Sequence, residues 1–266
     1  MLKNMKEDFK IAFIDIDWTI LNHENGHNFD MESIDAIRKA QEKGLLIYFC
    51  TARTYASITF TGLFDLIKPN GVICTNGNVI FIEDTLFEAL IIPESIVKDI
   101  LKVADKHQIV LEFATFKEKY YTHAPNEFVR NYLSVYYEDL LKVRENETKN
   151  VTEILAFLPE QYDELFIKEL PSDLKYYRYD TYGVNISYKQ STKGAAIKKV
   201  LNHLGINKEQ ALAFGDSLDD VSMFEEVGTS IAMGNAKEEM VKEKATIVAE
   251  SIENHGVATI IANLLF

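Results

Sequence analysis

The apolar run Ile11-Ala12-Phe13-Ile14 ends abruptly at Asp15 and Asp17, and the same change from apolar to polar recurs along the chain. A short unbroken apolar run bounded by turn signals reads as a strand covered on both faces. The first third alternates such runs with helical spacing, predicting strands at 11–14, 45–50 and 71–74. Between them a helix starts at a cap on Asp30 and stops at Gly44, and a second covers 54–64. Strand–helix–strand repetition with continuous apolar strands implies a parallel sheet with helices on both faces.

Beyond about Glu83 the rhythm changes. Helical spacing covers 94–106, strand-like stretches follow at 109–115 and 119–123, and a helix over 126–137 repeats Phe128, Tyr132 and Tyr136 at every fourth position. A strand at 154–158, a helix at 161–170 and strands at 175–179 and 184–188 complete this segment. The mixture implies an α+β unit whose own core takes most of its aromatic rings. The first rhythm then resumes. A helix capped by Ser191 runs over 192–204 to Gly205, a strand follows at 211–214, and Gly215-Asp216-Ser217-Leu218-Asp219-Asp220 opens another helix. A strand at 230–233 and a helix at 257–265 close the chain. The expected organisation is a Rossmann-like, doubly wound α/β core from 1–82 and 189–266, with an α+β cap domain inserted at 83–188.

At 266 residues the chain has room for one large domain or two smaller ones. Its 41 acidic and 28 basic residues give a formal charge of −13. That balance disfavours nucleic acid and anionic membrane surfaces as partners. Small phosphorylated metabolites stay open, because a local cation overrides net charge. No apolar run of about 18 residues suits a membrane span, and the polar start does not read as a secretion signal. Cys50 and Cys74 make no disulfide framework, so the expected compartment is the cytoplasm. His23 and His27 flank the turn sequence Asn25-Gly26 with no cysteine nearby, which is not a zinc pattern.

Polar groups collect just after the apolar strands: Asp15 and Asp17 after the first, Thr51 and Arg53 after the second, Asn76 after the third, Asp216 and Asp220 after a later one. In an open α/β sheet, ligands bind outside the carboxyl ends of the strands, so one crevice would receive them all. Adjacent carboxylates raise one another's pKa unless a cation neutralises them. Asp15, Asp17 and Asp216, with Asp220 nearby, therefore suit Mg²⁺, which takes oxygen ligands and keeps several waters. Gly215 permits close backbone approach there, and Lys193 starts a helix that could carry its ammonium over the same crevice.

Asp15-Ile16-Asp17-Trp18-Thr19, Cys50-Thr51-Ala52-Arg53, Lys193-Gly194 and Gly215-Asp216-Ser217-Leu218-Asp219-Asp220 resemble, in order, the four motifs of the haloacid dehalogenase superfamily. Thr75-Asn76-Gly77-Asn78 and Met233-Gly234-Asn235-Ala236 resemble its Cof-like sugar-phosphatase branch, which carries a large α+β cap. The resemblance implies a phosphatase acting on small phosphomonoesters through an aspartyl-phosphate. Asp15 would be the nucleophile and Asp17 the acid and then base. Thr51 and Lys193 would hold the phosphoryl oxygens, with Arg53, Asn76 and Asp219 as further substrate contacts. Asp15, the Asp17 carbonyl and Asp216 would bind Mg²⁺, supported by Asp220. The cap would choose the leaving group, with Phe116, Tyr121, His123, Arg178 and Tyr182 as candidates.

Three positions depart from the family pattern: Trp18 and Ala52 replace glycines, and Asp219 replaces an asparagine by a group that only accepts hydrogen bonds. The tryptophan ring is expected to pack under the cap or against the flap after Thr19; the alternative is that it narrows the entrance. A phosphomutase of the same superfamily and a non-catalytic phospho-ligand-binding protein are the rival readings. The oligomeric state is left open by the sequence.

Overall fold

The computed structural model of the protein describes residues 8–24, 26–136, 141–172, 174–178, 181–188 and 191–265. In chain order the first elements are β1 (Ile11–Ile14), β2 (Leu21–Asn22), β3 (Asn28–Phe29), α1 (Met31–Glu42), β4 (Leu46–Cys50), α2 (Tyr55–Phe60), α3 (Leu63–Leu66), β5 (Gly71–Cys74), β6 (Val79–Ile82) and β7 (Thr85–Ala89). The middle of the chain forms α4 (Glu94–His107), β8 (Val110–Ala114), β9 (Lys119–Tyr121), α5 (Glu127–Tyr136), β10 (Glu153–Phe157), α6 (Asp163–Lys168), β11 (Leu174–Arg178) and β12 (Gly183–Tyr188). The last part forms α7 (Lys193–Leu204), β13 (Ala211–Gly215), α8 (Val221–Phe224), β14 (Thr229–Ala232), α9 (Glu239–Lys244), β15 (Ile247–Val248) and α10 (Gly256–Leu265).

These elements cluster into two compact units. The first takes Thr61–Phe87 with the described residues up to Ala52 and from Thr192 onward; the second takes Arg53–Phe60 and the described residues of Glu88–Ser191. The first is built on an eight-stranded sheet of order β15-β14-β13-β1-β4-β5-β6-β7. Its strands from β15 to β5 run parallel, and β6 turns back antiparallel on β5. All residues of β1, β13 and β14 are buried, which is why β1 and β13 read as unbroken apolar runs, while β14 buries Thr229 and Ser230 as well. Phe13, Tyr48, Ile73 and Ala213 share a core with Ala196, Ile197 and Val200 of α7. Elsewhere α1 packs on α10, where Asp30 meets His255 at 2.7 Å.

Register fixes where the chemistry emerges. Ile14 stands level with Phe49 of β4 and Phe214 of β13, so the residues following these three strands leave the sheet at nearly one height. The chain passes from β1 to β4 on one side, while β13 lies on the other. That is a topological switch point, where a crevice opens between diverging connections.

The second unit is a five-stranded antiparallel sheet, order β11-β12-β10-β8-β9. One core joins Phe113, Tyr120, Ile154 and Ile186 to Val97, Ile100 and Ala104 of α4; another joins Tyr121 and Phe157 to Val129, Tyr132 and Leu133 of α5. Several boundaries differ from the sequence reading. The helix expected over 54–64 is two helices, broken at Gly62, whose φ of 78° is left-handed. The cap of α7 is Thr192 rather than Ser191, its side chain accepting from Ala195 N at 3.1 Å. Asp30 occupies the cap position of α1, but its carboxylate accepts from the Ser33 hydroxyl and faces His255 instead of closing the helix end. The strands β6 and β7 and the β2–β3 hairpin were not foreseen. The expected ends at Tyr137 and Tyr179 lie outside the described residues.

Candidate active site

Lys193 is the first residue of α7, and its ammonium lies almost wholly buried, 2.7 Å from Asp15 Oδ1 and 2.6 Å from Asp220 Oδ1. A cation at a helix N-terminus opposes the helix dipole, so the two carboxylates are what hold it there. Burial works against its charge, but Asp15 and Asp220 outweigh that and raise the Lys193 pKa well above its ordinary value. Lys193 is thus a fixed cation.

Asp220 holds both sides of the arrangement. Its second oxygen, Oδ2, accepts from Asp216 N and Ser217 N, each at 2.9 Å, and from Ser217 Oγ at 3.0 Å. One fully buried carboxylate thereby closes the turn after β13 and anchors Lys193. The sequence permits this only because residue 215 is glycine. A Cβ there would lie 2.4 Å from Asp220 Cγ, closer than such atoms approach in folded proteins. Two other glycines serve similar approaches. A Cβ on Gly194 would meet Ser222 O at 2.0 Å, and one on Gly77 would meet Thr192 O at 2.3 Å.

Asp15 follows β1 directly, buried, with its N–H donating to Phe214 O at 3.0 Å. Burial raises its pKa; Lys193 pulls the other way, but Asp220, Asp216 and Asp17 add to the rise. Asp216 is pushed up to about 7, first by burial and then by Asp220, against the pull of Lys193. Carboxylate oxygens of Asp15, Asp216 and Asp220 lie within 4.8 Å of one another, a grouping able to hold a metal ion. Asp220 is already committed to four protein donors, so Asp15 and Asp216 are the two with ligand capacity.

The remaining predicted residues divide. Thr51 is buried after β4, its N–H bonded to Ile73 O at 2.9 Å and its carbonyl accepting from Asn76 N at 3.0 Å, which joins two strand ends. Asn76 donates from Nδ2 to Asp219 Oδ2 at 3.2 Å, so these two expected substrate contacts meet each other. Asp17 is partly exposed and Oδ1 lies 2.6 Å from His23 Nε2. Arg53 is half-buried and starts the segment Arg53–Phe60 that clusters with the second unit. In the second unit, Arg178 is engaged by Asp163 and the Leu158 carbonyl, Tyr182 meets Phe128 and Tyr132 edge to face, and Tyr121 is buried.

Sequence reasoning passed over two residues. Asn235 donates to Trp18 O at 2.8 Å and accepts from Ile252 N at 2.9 Å; its motif was visible but its work was not. His23 was weighed only as a zinc ligand, and its partner is a carboxylate. The Trp18 ring packs against His23, on the flap as expected, with centroids 5.2 Å apart.

Comparison with known proteins finds relatives along nearly the whole chain. The chain is 27% identical to the 5-amino-6-(5-phospho-D-ribitylamino)uracil phosphatase YcsE of Bacillus subtilis, covering 94% of each chain. It is 24% identical to phosphoglycolate phosphatase 1 of Saccharolobus solfataricus, covering 96% of each. The solved structure of the HAD subclass IIB sugar phosphatase BT4131 superimposes with a TM-score of 0.78 at 26% identity, covering 95% of this chain and 98% of that one. The model of the haloacid dehalogenase-like hydrolase family matches residues 12–261, and this chain belongs to that family.

Proposed function

We propose that this hydrolase is a Mg²⁺-dependent phosphatase of small phosphomonoesters, with sugar phosphates the leading class, and that it carries the phosphoryl group on Asp15. The observation behind the reading is the Lys193 ammonium held between Asp15 and Asp220 at the carboxyl ends of parallel strands, beside Asp216. Phosphoryl transfer asks a protein mainly for positioning and charge neutralisation, and this cluster offers both.

In the first half-reaction an Asp15 carboxylate oxygen bonds to phosphorus while the bond from phosphorus to the leaving alkoxide breaks. The Asp17 carboxyl gives its proton to that oxygen, and the alcohol departs. In the second, the Asp17 carboxylate takes a proton from water as the water oxygen bonds to phosphorus. The bond between phosphorus and Asp15 breaks, its electron pair returns to the carboxylate, and phosphate leaves. Lys193 and Thr51 hold the phosphoryl oxygens; Asn76, Asp219 and Arg53 are candidates for the rest of the substrate.

The donor set fits Mg²⁺. Asp15 and Asp216 offer oxygen ligands in a cluster where burial first, and neighbouring carboxylates after it, raise both pKa values, so a divalent cation would offset a cost the fold already bears. The Asp17 carbonyl completes the protein ligands in this reading, and Asp220 stays with Lys193 and the turn. When bound, Mg²⁺ would neutralise charge on the transferring phosphoryl group. No helix among the described residues is long and apolar enough to cross a membrane. The sugar-phosphate class is supported by the names of the relatives, one a sugar phosphatase and one acting on a phosphoribityl compound.

Phosphate release from a panel of phosphorylated metabolites, with Mg²⁺ or with chelator, tests the proposal. Release should require Mg²⁺, and Asp15→Asn should abolish it while leaving the melting temperature nearly unchanged. Turnover by purified Asp15→Asn at a rate near that of the parent would end the covalent route. Movement of label between two positions of one sugar, without phosphate release, would favour a mutase.

A further inference from the structure

Asp17 is placed by more than its own loop. Its bridge to Leu21 and the 2.8 Å bond from Trp18 N to Leu21 O fold the chain back on itself. The two-residue strands β2 and β3 then pair Leu21 with Phe29 and Asn22 with Asn28. His23 is the first residue past that pairing, and it reaches back six positions to put Nε2 at 2.6 Å from Asp17 Oδ1. Its ring is braced by aromatic neighbours: Trp18 at 5.2 Å between centroids and His27 at 4.5 Å, edge to face. Trp18 is in turn tied by Asn235 through its carbonyl.

We infer that His23 is a positioning residue for Asp17, holding the carboxyl group in the orientation that delivers its proton to the leaving oxygen. The inference rests on the phosphatase reading above and extends it to a residue that reading does not use. Asp17 is 30% exposed, and the His23 contact ties one of its two oxygens. Anchoring one oxygen fixes the plane of the group, and with it the line along which the proton moves. A misplacement of about 1 Å in such a group costs on the order of a hundredfold in rate. The imidazole needs no protonation change for this role; it needs only to stay where Trp18 and His27 hold it.

The prediction separates proton delivery from general integrity by leaving group. p-Nitrophenyl phosphate leaves as a stabilised phenolate that needs little help, whereas glycerol phosphate leaves as a poor alkoxide that depends on the acid. The parameter to compare is kcat/KM, which covers the steps through phosphoryl transfer to Asp15. His23→Ala should lower kcat/KM for glycerol phosphate by about thirtyfold, within the range for misplaced catalytic groups, and by at least ten times less for p-nitrophenyl phosphate. His23→Gln, whose amide nitrogen can occupy the place of Nε2, should recover most of the loss. Equal losses on both substrates would make His23 merely structural, and no loss on either would remove it from the mechanism; each outcome overturns the inference. The parent protein with Mg²⁺ is measured alongside. If it releases phosphate from neither substrate nor from the metabolite panel, the phosphatase reading itself falls and takes this inference with it.

Discussion

Gly215→Ala tests the geometry on which the whole cluster depends. A Cβ at this position would stand 2.4 Å from Asp220 Cγ and 2.5 Å from both its Cβ and Oδ2. Because the crowded atoms include Asp220 Cβ, rotating the carboxylate away is not enough, and the short side chain must shift with its backbone. A shift of roughly 1 Å restores ordinary contact distances but stretches the bonds to Lys193, Asp216 N, Ser217 N and Ser217 Oγ. Hydrogen bonds to a charged group contribute about 1.5–3 kcal/mol each, and breaking a buried ion pair costs about 3–5 kcal/mol. Weakening rather than losing the set points to a destabilisation of about 3 kcal/mol, or a fall in melting temperature of roughly 6–12 °C at this chain length. Phosphate release should fall about a hundredfold, since Lys193 moves with its anchor. Gly205→Ala is the control: its φ of 65° is left-handed but nothing lies within 4 Å of the new Cβ. It should cost only about 1 kcal/mol and leave turnover alone. Thermal melts, urea titration and steady-state rates measure all of this. If Gly215→Ala melts within a degree or two of the parent and turns over at a similar rate, Asp220 is not the clamp described above.

Two pH effects follow from the same charges. Asp216, raised to about 7, must lose its proton to become a ligand, so the apparent affinity for Mg²⁺ should fall as the pH drops below about 7. Calorimetric titration from pH 5.5 to 8.5 checks this, and a flat profile would remove Asp216 from the metal site. His255 is raised above its ordinary pKa, chiefly by its hydrogen bond to Asp30. Its contribution to stability is therefore complete below the unfolded value near 6.5 and is lost as pH rises through the folded one. The melting-temperature gap between parent and His255→Gln should be widest at mildly acidic pH and narrow toward alkaline pH; a gap that stays flat across this range would mean His255 is held by packing alone.

The strands β1, β4, β5 and β13 were legible because burial on both faces leaves an unbroken apolar run, and the polar residues at their ends stood out against it. Topology then did what spacing could not, setting Asp15 and Asp216 on either side of one crevice. Less legible were contacts that depend on three-dimensional folding. Nothing in the sequence joins Asn76 to Asp219, 143 positions apart, or tells which oxygen of Asp220 serves Lys193 and which the turn. The helix break at Gly62 was missed because one glycine inside helical spacing is often tolerated. The sequence shows His23 only as half of a histidine pair unsuited to zinc; the two-residue strands of the hairpin are what bring it back to Asp17.

Three residues near this crevice have left-handed backbone. Trp18 has a φ of 59°, and Thr75 and Asn76, directly after β5, have values of 56° and 50°. Left-handed backbone costs a residue with a side chain roughly 1–2 kcal/mol, and a large ring gains nothing from it locally. In each place the surrounding bonds leave the chain no alternative. Trp18 is tied to Leu21 and Asn235, Asn76 N donates to Thr51 O, and Asn78 N closes onto Thr75 O. Asn76 tolerates the conformation better than most residues, and Gly77, at 95°, completes the turn beneath the start of α7. At residue 18 a glycine would take the same backbone shape without strain, so the tryptophan must be favoured by something other than the turn. Its ring lies against His23, and His23 lies against Asp17. On the inference drawn above, strain retained at residue 18, one residue from the proposed acid, would go with holding that acid still; the Lys237 ammonium, 5.9 Å from the centre of the same ring, is a second contact that favours the tryptophan.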